Sequence, residues 1–198
     1  MDKKTIETYN KRVQEYDNET IEFWKYFPKS FVEVFVKKVK GKVLNIGSGP
    51  ARDSEILRDG GLEVVCFDAS EEMIKISTEK GFESVVGDFL NLPFDNELFS
   101  GVWAYTSLLH VSKKDIDKAF EEIKRVLKKG GVLGLGLIEG ETEEYKESSG
   151  VNLPRLFSFY TKEEIEKILM KHGFDVVYFE EFKPRSKTYL NFICFKNN

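Results

Sequence analysis

Val43-Leu44-Asn45-Ile46-Gly47-Ser48-Gly49-Pro50-Ala51-Arg52-Asp53 is the stretch that decides the fold. A short apolar run ends in a turn holding two glycines, and a helical pattern follows from about Pro50 to Arg58. Such a turn brings backbone N–H groups close to a ligand, because Gly47 and Gly49 permit dihedrals and approaches that a Cβ blocks. The helix N-terminus behind it favours a negative group. Two glycines alone are a weak signal, so the reading depends on what surrounds them.

Downstream, apolar runs alternate with helical patterns. Leu62–Phe67 is a strand pattern ending at Asp68, and Glu71–Glu79 reads as a helix. Ser84–Val86 ends at Gly87-Asp88, and Gly101–Tyr105 is a further strand. Ile116, Phe120, Ile123 and Leu127 give a helix over 115–127, with Gly130-Gly131 as its expected C-cap, before the strand Val132–Ile138. Strand–helix alternation with continuous apolar strands predicts a parallel sheet covered on both faces. Residues 140–160 read as an inserted loop. Thr161 and Glu164 then form a capping box opening a helix to about His172, which Gly173 stops. Asp175–Glu181 and Tyr189–Phe195 read as a hairpin closing one sheet edge. Ahead of the sheet, Ile6, Tyr9, Val13 and Tyr16 make one stripe on a helix over 2–17, and a second helix spans 29–39.

The strand ends carry the chemistry. Asp68 lies nineteen residues after Gly49, where an acidic side chain accepts hydrogen bonds from both hydroxyls of a ribose. Asp88 at the next strand end is placed to accept from an adenine amino group, with Phe89 packing on the ring. In a dinucleotide fingerprint the third glycine position is small, and here it is the bulky Arg52. The phosphate-binding pattern G-x-x-x-x-G-K-S/T is absent, which counts against ATP hydrolysis.

These segments resemble the motifs of class I S-adenosylmethionine-dependent methyltransferases of the small-molecule type. Residues 45–51 are similar to their glycine-rich motif, and Asp68-Ala69-Ser70-Glu71-Glu72-Met73 to their D-x-S-x-x-M stretch. Gly87-Asp88-Phe89, Phe99–Ala104 and Ile123–Gly131 are similar to the motifs that follow, in the same order. The chain departs from the pattern at Asn45, where an acid often stands, and at Ala51, where the last glycine stands. Asn45 is expected to accept through its amide oxygen.

The resemblance implies a Rossmann-like, doubly wound α/β fold with a seven-stranded, mostly parallel sheet and a C-terminal antiparallel hairpin. It implies one domain over 1–198, with a helical cap at 1–39, a cofactor-binding core at 40–140 and a substrate-side insertion at 140–160. S-adenosylmethionine is the implied cofactor, held by Ile46, Gly47, Ser48 and Gly49 of the loop and by Asp68, Ala69 and Met73. Asp88, Phe89, Ala104 and Tyr105 complete that shell, with Tyr9 from the cap. Arg52 is expected to face the methionine carboxylate or to be a surface helix arginine.

On the acceptor side, Ala104-Tyr105-Thr106-Ser107-Leu108-Leu109-His110-Val111 resembles the A-x-x-S-L-L-H-V of small-molecule enzymes. His110 suits general-base work, or else satisfies a backbone group. Tyr16, Ser107, Glu139, Arg155 and Tyr160 are expected to contact substrate; packing is the alternative for Tyr16, Arg155 and Tyr160. The expected reaction is methyl transfer to an O or N atom of a small molecule. The alternative is a methyltransferase-like domain that binds cofactor or a partner without catalysis.

Composition narrows the classes. Apolar residues make up 41% and charged residues 32%, a globular balance. Net charge is −4, with lysines and glutamates interleaved, which disfavours a nucleic-acid partner. No apolar run approaches a bilayer span, and the N-terminus lacks a signal-peptide core, so a cytosolic monomer or homodimer is expected. Cys66 and Cys194 are expected to be buried reduced thiols, and no Cys/His spacing suggests a metal.

Overall fold

The computed structural model describes residues 1–148 and 150–197. The chain begins with helices α1 (Lys3–Lys11), α2 (Val13–Trp24) and α3 (Lys29–Lys38). Alternation follows: β1 (Lys42–Ile46), α4 (Arg52–Asp59), β2 (Glu63–Asp68), α5 (Glu71–Glu79), β3 (Glu83–Val86) and β4 (Phe99–Tyr105). Then come α6 (Ile116–Val126), β5 (Leu127–Ile138), β6 (Glu143–Lys146) and β7 (Arg155–Ser158). The chain ends with α7 (Lys162–Lys171), β8 (Phe174–Phe182) and β9 (Tyr189–Lys196).

Seven strands form one sheet in the order β3-β2-β1-β4-β5-β9-β8. The first five are parallel, and β9 runs antiparallel to β5 and β8. The final hairpin thus inserts its second strand beside β5 and leaves β8 at the edge. After β3 the chain returns to the other side of β1, so the winding reverses between β1 and β4. In such sheets the crevice at that reversal, at the carboxyl strand ends, is where ligands bind.

Both faces are buried, which is why the strands read as apolar runs. On one face α3 drives Phe31 and Phe35 against Trp103 and Val43; on the other, α6 sets Phe120 and Ile123 against Leu133 and Val102. Large rings on β4 face glycines on β5. Trp103 pairs with Gly134, and Tyr105 with Gly136. A Cβ on Gly134 would lie 2.6 Å from the Trp103 ring and 3.0 Å from Phe35.

Four boundaries differ from the sequence reading. The helix expected over 2–17 breaks at Arg12, whose backbone (φ −130°, ψ 32°) separates α1 from α2. Tertiary contacts impose this break: the Thr5 hydroxyl accepts from Leu156 N–H at 2.8 Å, and the Thr8 hydroxyl donates to the Pro154 carbonyl at 2.8 Å, tying α1 to β7. The helix of the glycine-rich segment begins at Arg52 rather than Pro50, because Ala51 is left-handed at φ 64°. The helix over 115–127 stops at Val126, where Leu127 pairs with Phe99. Gly130 (φ 64°) lies in an irregular stretch of β5, so Gly130-Gly131 is no helix cap. The expected loop 140–160 contains the antiparallel pair β6–β7. The Thr161–Glu164 capping box and both buried free cysteines are as the sequence suggests.

Gly134→Ala is expected to destabilise the protein by about 1–3 kcal/mol, since the methyl must displace a fully enclosed indole. Chemical denaturation measures this.

Candidate functional site

Three strand ends build the site. Past β1, Gly47 (φ 71°) and Gly49 (φ 51°) turn the chain across the end of β2. The N–H groups of Gly47 and Ser48 donate to the Phe67 carbonyl at 2.7 and 3.1 Å. Asp68 is clamped from two loops: its Oδ2 accepts from Gly49 N–H at 2.9 Å and its Oδ1 from Ser70 N–H at 2.8 Å. Burial nonetheless lifts this carboxyl above its ordinary range, against those two bonds.

A buried polar cluster lies beneath the loop. Asn45 Nδ2 donates to Asp53 Oδ1 at 2.7 Å and to Ser54 Oγ at 2.8 Å, and Trp103 Nε1 donates to Asp53 Oδ2 at 3.0 Å. Burial raises the Asp53 carboxyl to about 6, with Asn45, the Ser54 N–H and Trp103 acting the other way. Asn45 thus serves as a donor through Nδ2, while the Oδ1 expected to accept is buried without a partner among the described residues. A carboxylate at position 45 would face the Asp53 carboxylate at hydrogen-bond distance.

Two cavities open at this edge. The inner one, of about 500 Å³ including its open mouth, is lined by Gly47, Gly49, Asp68, Ala69, Met73 and Phe89, with Tyr105 and Ser107 also in its wall. The outer one, of about 1240 Å³ including its open mouth, is lined by Arg155, Lys187, Phe157, Phe159, Phe23 and Tyr189, among others. Tyr9, Tyr16, Thr106 and His110 line both, so the cavities meet across these four side chains. Thr106 was missed by the sequence reading. It is a β-branched residue held at φ 53° directly after β4, and backbone strain of this kind concentrates at functional sites.

His110 sits in a 3-10 turn, Leu108–His110, and is buried. Its Nδ1 lies 2.6 Å from the Leu156 carbonyl, and its Nε2 lies 2.8 Å from the Tyr9 hydroxyl. A carbonyl only accepts, so Nδ1 carries the hydrogen and Nε2 accepts from Tyr9. Arg155 Nη1 in turn donates to Tyr9 Oη at 3.3 Å. Burial, with the Arg155 charge adding to it, lowers His110 to about 4 and keeps it neutral. Arg155 itself is 5% exposed and lies 5.4, 5.9 and 5.3 Å from the rings of Tyr9, Tyr16 and Phe157.

Other expected site residues lie elsewhere. Arg52 faces neither cavity; its guanidinium pairs with Asp17 at 2.7 Å and bonds the Asp17 carbonyl at 3.2 Å, latching α4 to α2. Asp88 is half exposed and accepts from the Met1 ammonium at 2.7 Å, so Gly47 and Asp68 converge on the inner cavity while Asp88 stays outside it. Ile46, Ser48 and Ala104 are buried but line neither cavity. Glu139 is exposed, and bridges Tyr160 through the backbone. Tyr160 is buried away from both cavities, under the Lys113 ammonium at 4.9 Å.

Residues 44–135 match the family described as a methyltransferase domain. A sterol 24-C-methyltransferase of Yarrowia lipolytica is 31% identical over 163 residues, covering 71% of this chain and 41% of that protein. An uncharacterised protein of Methanocaldococcus jannaschii is 29% identical, with 85% of this chain and 82% of that one aligned. In three dimensions, the DhpI–SAH complex superposes with a TM-score of 0.80 at 20% identity, covering 100% and 99% of the two chains. The fold is that of the Rossmann-like methyltransferases. With that domain match and that fold, the chain is similar to the class I S-adenosylmethionine-dependent methyltransferases.

The inner cavity fits the cofactor of that family. It offers a clamped carboxylate, apolar walls from Met73 and Phe89, and two buried hydroxyls without partners, Tyr105 Oη and Ser107 Oγ, to meet a polar ligand. Asp68→Ala removes the charged acceptor and is expected to weaken S-adenosylhomocysteine binding about tenfold or more by calorimetry. The His110 imidazole, followed by NMR, is expected to titrate near about 4 rather than 6.5. The unfolded chain takes up that proton first, so the stability it contributes is full above 6.5 and is lost as pH falls towards about 4.

Proposed function

We propose that this chain transfers a methyl group from S-adenosylmethionine to an oxygen or nitrogen atom of a small molecule seated in the outer cavity. The supporting observation is the shared wall: Tyr9, Tyr16, Thr106 and His110 separate the two cavities, so ligands on either side meet there. The cofactor supplies an already activated sulfonium methyl. The protein's task is then to align the acceptor and exclude water. Gly47, Gly49, Asp68 and Phe89 hold the donor side. His110 presents the lone pair of Nε2 to the acceptor's hydroxyl or amine, in the place the Tyr9 hydroxyl takes in this structure. With a conjugate acid near about 4, it orients the nucleophile by accepting a hydrogen bond more than by removing a proton.

The sterol relative's name describes a carbon acceptor, but the chain spans 41% of that protein, so the acceptor is argued from the cavity. The whole chain acts as one domain in this reading, with residues 1–39 as cap. A net charge of −4 favours a small acceptor over nucleic acid, and among the described residues no helix is long and apolar enough to cross a membrane. A second reading, cofactor binding without catalysis, draws on Asn45, which donates to Asp53 instead of supplying the acid usual at that place.

Calorimetry with S-adenosylhomocysteine, followed by methyl-transfer assays over a compound library, tests both. Binding with transfer supports the first reading, binding without transfer the second, and no binding at millimolar cofactor defeats both. His110→Ala is expected to lower kcat roughly tenfold to a hundredfold while leaving S-adenosylhomocysteine affinity nearly unchanged. An equal loss in both would assign His110 to the cofactor site or the fold.

A further inference from the structure

Among the described residues, Arg155 is a buried cation with no carboxylate in direct contact; Glu19 reaches it only through the Ser148 hydroxyl. Its hydrogen-bond partners are hydroxyls, Tyr9 at 3.3 Å and Ser148 at 2.7 Å, and its Nε is buried with no partner. Among the described residues, no Asp or Glu oxygen lies within the 4.0 Å that defines an ion pair. A desolvated guanidinium is costly unless an anion pairs with it. Here it lines the outer cavity, beside the wall shared with the inner one.

A second cation faces the same space. Lys187 lines the outer cavity, and burial followed by the Arg155 charge pulls its ammonium below the ordinary lysine range, although the side chain still reaches solvent. The other charges in the wall are either engaged or peripheral. Lys146 pairs with Glu144 at 3.0 Å, Glu19 accepts from the Ser148 hydroxyl at 2.7 Å, and Glu147 is exposed. Phe157, Phe159 and Tyr189 add rings to the same wall, with Phe157 stacked on Phe159 at 5.8 Å and 5.3 Å from the Arg155 guanidinium.

We infer that the acceptor is a flat apolar molecule carrying a carboxylate or phosphate group, which Arg155 and Lys187 bind while the rings hold its body. This rests on the methyl-transfer reading for the word acceptor; the anion site itself does not depend on it. The guanidinium fork suits the two oxygens of either group. Because Arg155 also donates to Tyr9, the anion docks within reach of the chain that ends on His110.

The test is calorimetry on the whole chain with benzoate, phenyl phosphate, benzamide and benzylamine, with S-adenosylhomocysteine titrated separately. Benzoate or phenyl phosphate is expected to bind about tenfold or more tightly than benzamide, with benzylamine weakest. Preference for benzoate assigns a carboxylate and preference for phenyl phosphate a phosphate. Lys187→Gln, at a site that reaches solvent and so spares the fold, is expected to weaken the anion about threefold and benzamide not at all. Arg155→Lys is expected to lose about tenfold. Equal binding of benzoate, phenyl phosphate and benzamide, preference for benzylamine, or anion affinity unmoved in both variants overturns the inference. S-adenosylhomocysteine binding without anion preference defeats this inference alone. Anion preference without S-adenosylhomocysteine binding defeats the methyl-transfer reading and leaves the anion site standing.

Discussion

The site depends on one close approach. A Cβ on Gly47 would lie 2.2 Å from the Ser107 Cβ and 3.3 Å from the Phe89 ring, so the loops after β1, β3 and β4 pack with no room for a methyl group. Hydrogen-bonded pairing of β1 with β4 brings the first and last of these loops together, Leu44 opposite Val102, at the point where the winding reverses. Asp68 completes the lock by accepting from Gly49 and Ser70 across two loops. The donor-side glycines and the acceptor-side turn that carries His110 are therefore held as one piece. A larger residue at position 47 must separate the walls of both cavities at once.

Beneath that contact, polarity is arranged with the same economy. Asp53 is buried, and its carboxyl rises to about 6, so its charged form needs every donor around it. Asn45, Trp103 and the Ser54 N–H supply them, from β1, β4 and α4. The departure at Asn45 thus has a local cause eight residues on: the acid lies on the helix, and the strand residue answers it as a donor. An acid at 45 together with Asp53 would leave two carboxylates sharing one dry site, where one must stay protonated.

What the sequence disclosed follows from how far apart the deciding residues lie. Gly47, Gly49, Asp68 and Phe89 were readable because parallel strands buried on both faces print continuous apolar runs, and ligands collect just beyond them. The seven-stranded sheet was readable for the same reason. The break at Arg12 was not, since no proline or glycine marks it; hydroxyls of Thr5 and Thr8 reaching β7 impose it from more than 140 residues away. Arg52 takes the second of its two expected places, a helix arginine, because Asp17, thirty-five residues upstream, competes for its guanidinium. Asp88 was misplaced because its half-exposed carboxylate meets the N-terminal ammonium. Position along a strand edge is local information, whereas the partners of these two charges come from the N-terminal segment, far away in sequence.

The first two helices are also fastened differently from the sheet. Trp103, Phe35 and Phe31 close the sheet with fully buried rings, whereas α2 buries no residue completely and holds on through Arg52–Asp17 and the partly buried rings of Phe23 and Trp24. Partly exposed ion pairs are worth about 0–1 kcal/mol each, against about 1.5–3 kcal/mol for one enclosed apolar side chain. Separating α2 from the sheet therefore costs less than disturbing the strand ends or lifting α3, whose Phe31 and Phe35 are fully buried. Yet the same cap supplies Tyr9, whose hydroxyl donates to His110 Nε2 and accepts from Arg155. The imidazole's accepting lone pair and the guanidinium's orientation are thus set by α1, which the Thr5 and Thr8 hydroxyls tie to the insertion. The donor side is rigid by packing, while the acceptor side is ordered by a hydrogen-bond chain that a ligand can enter by taking the place of one hydroxyl.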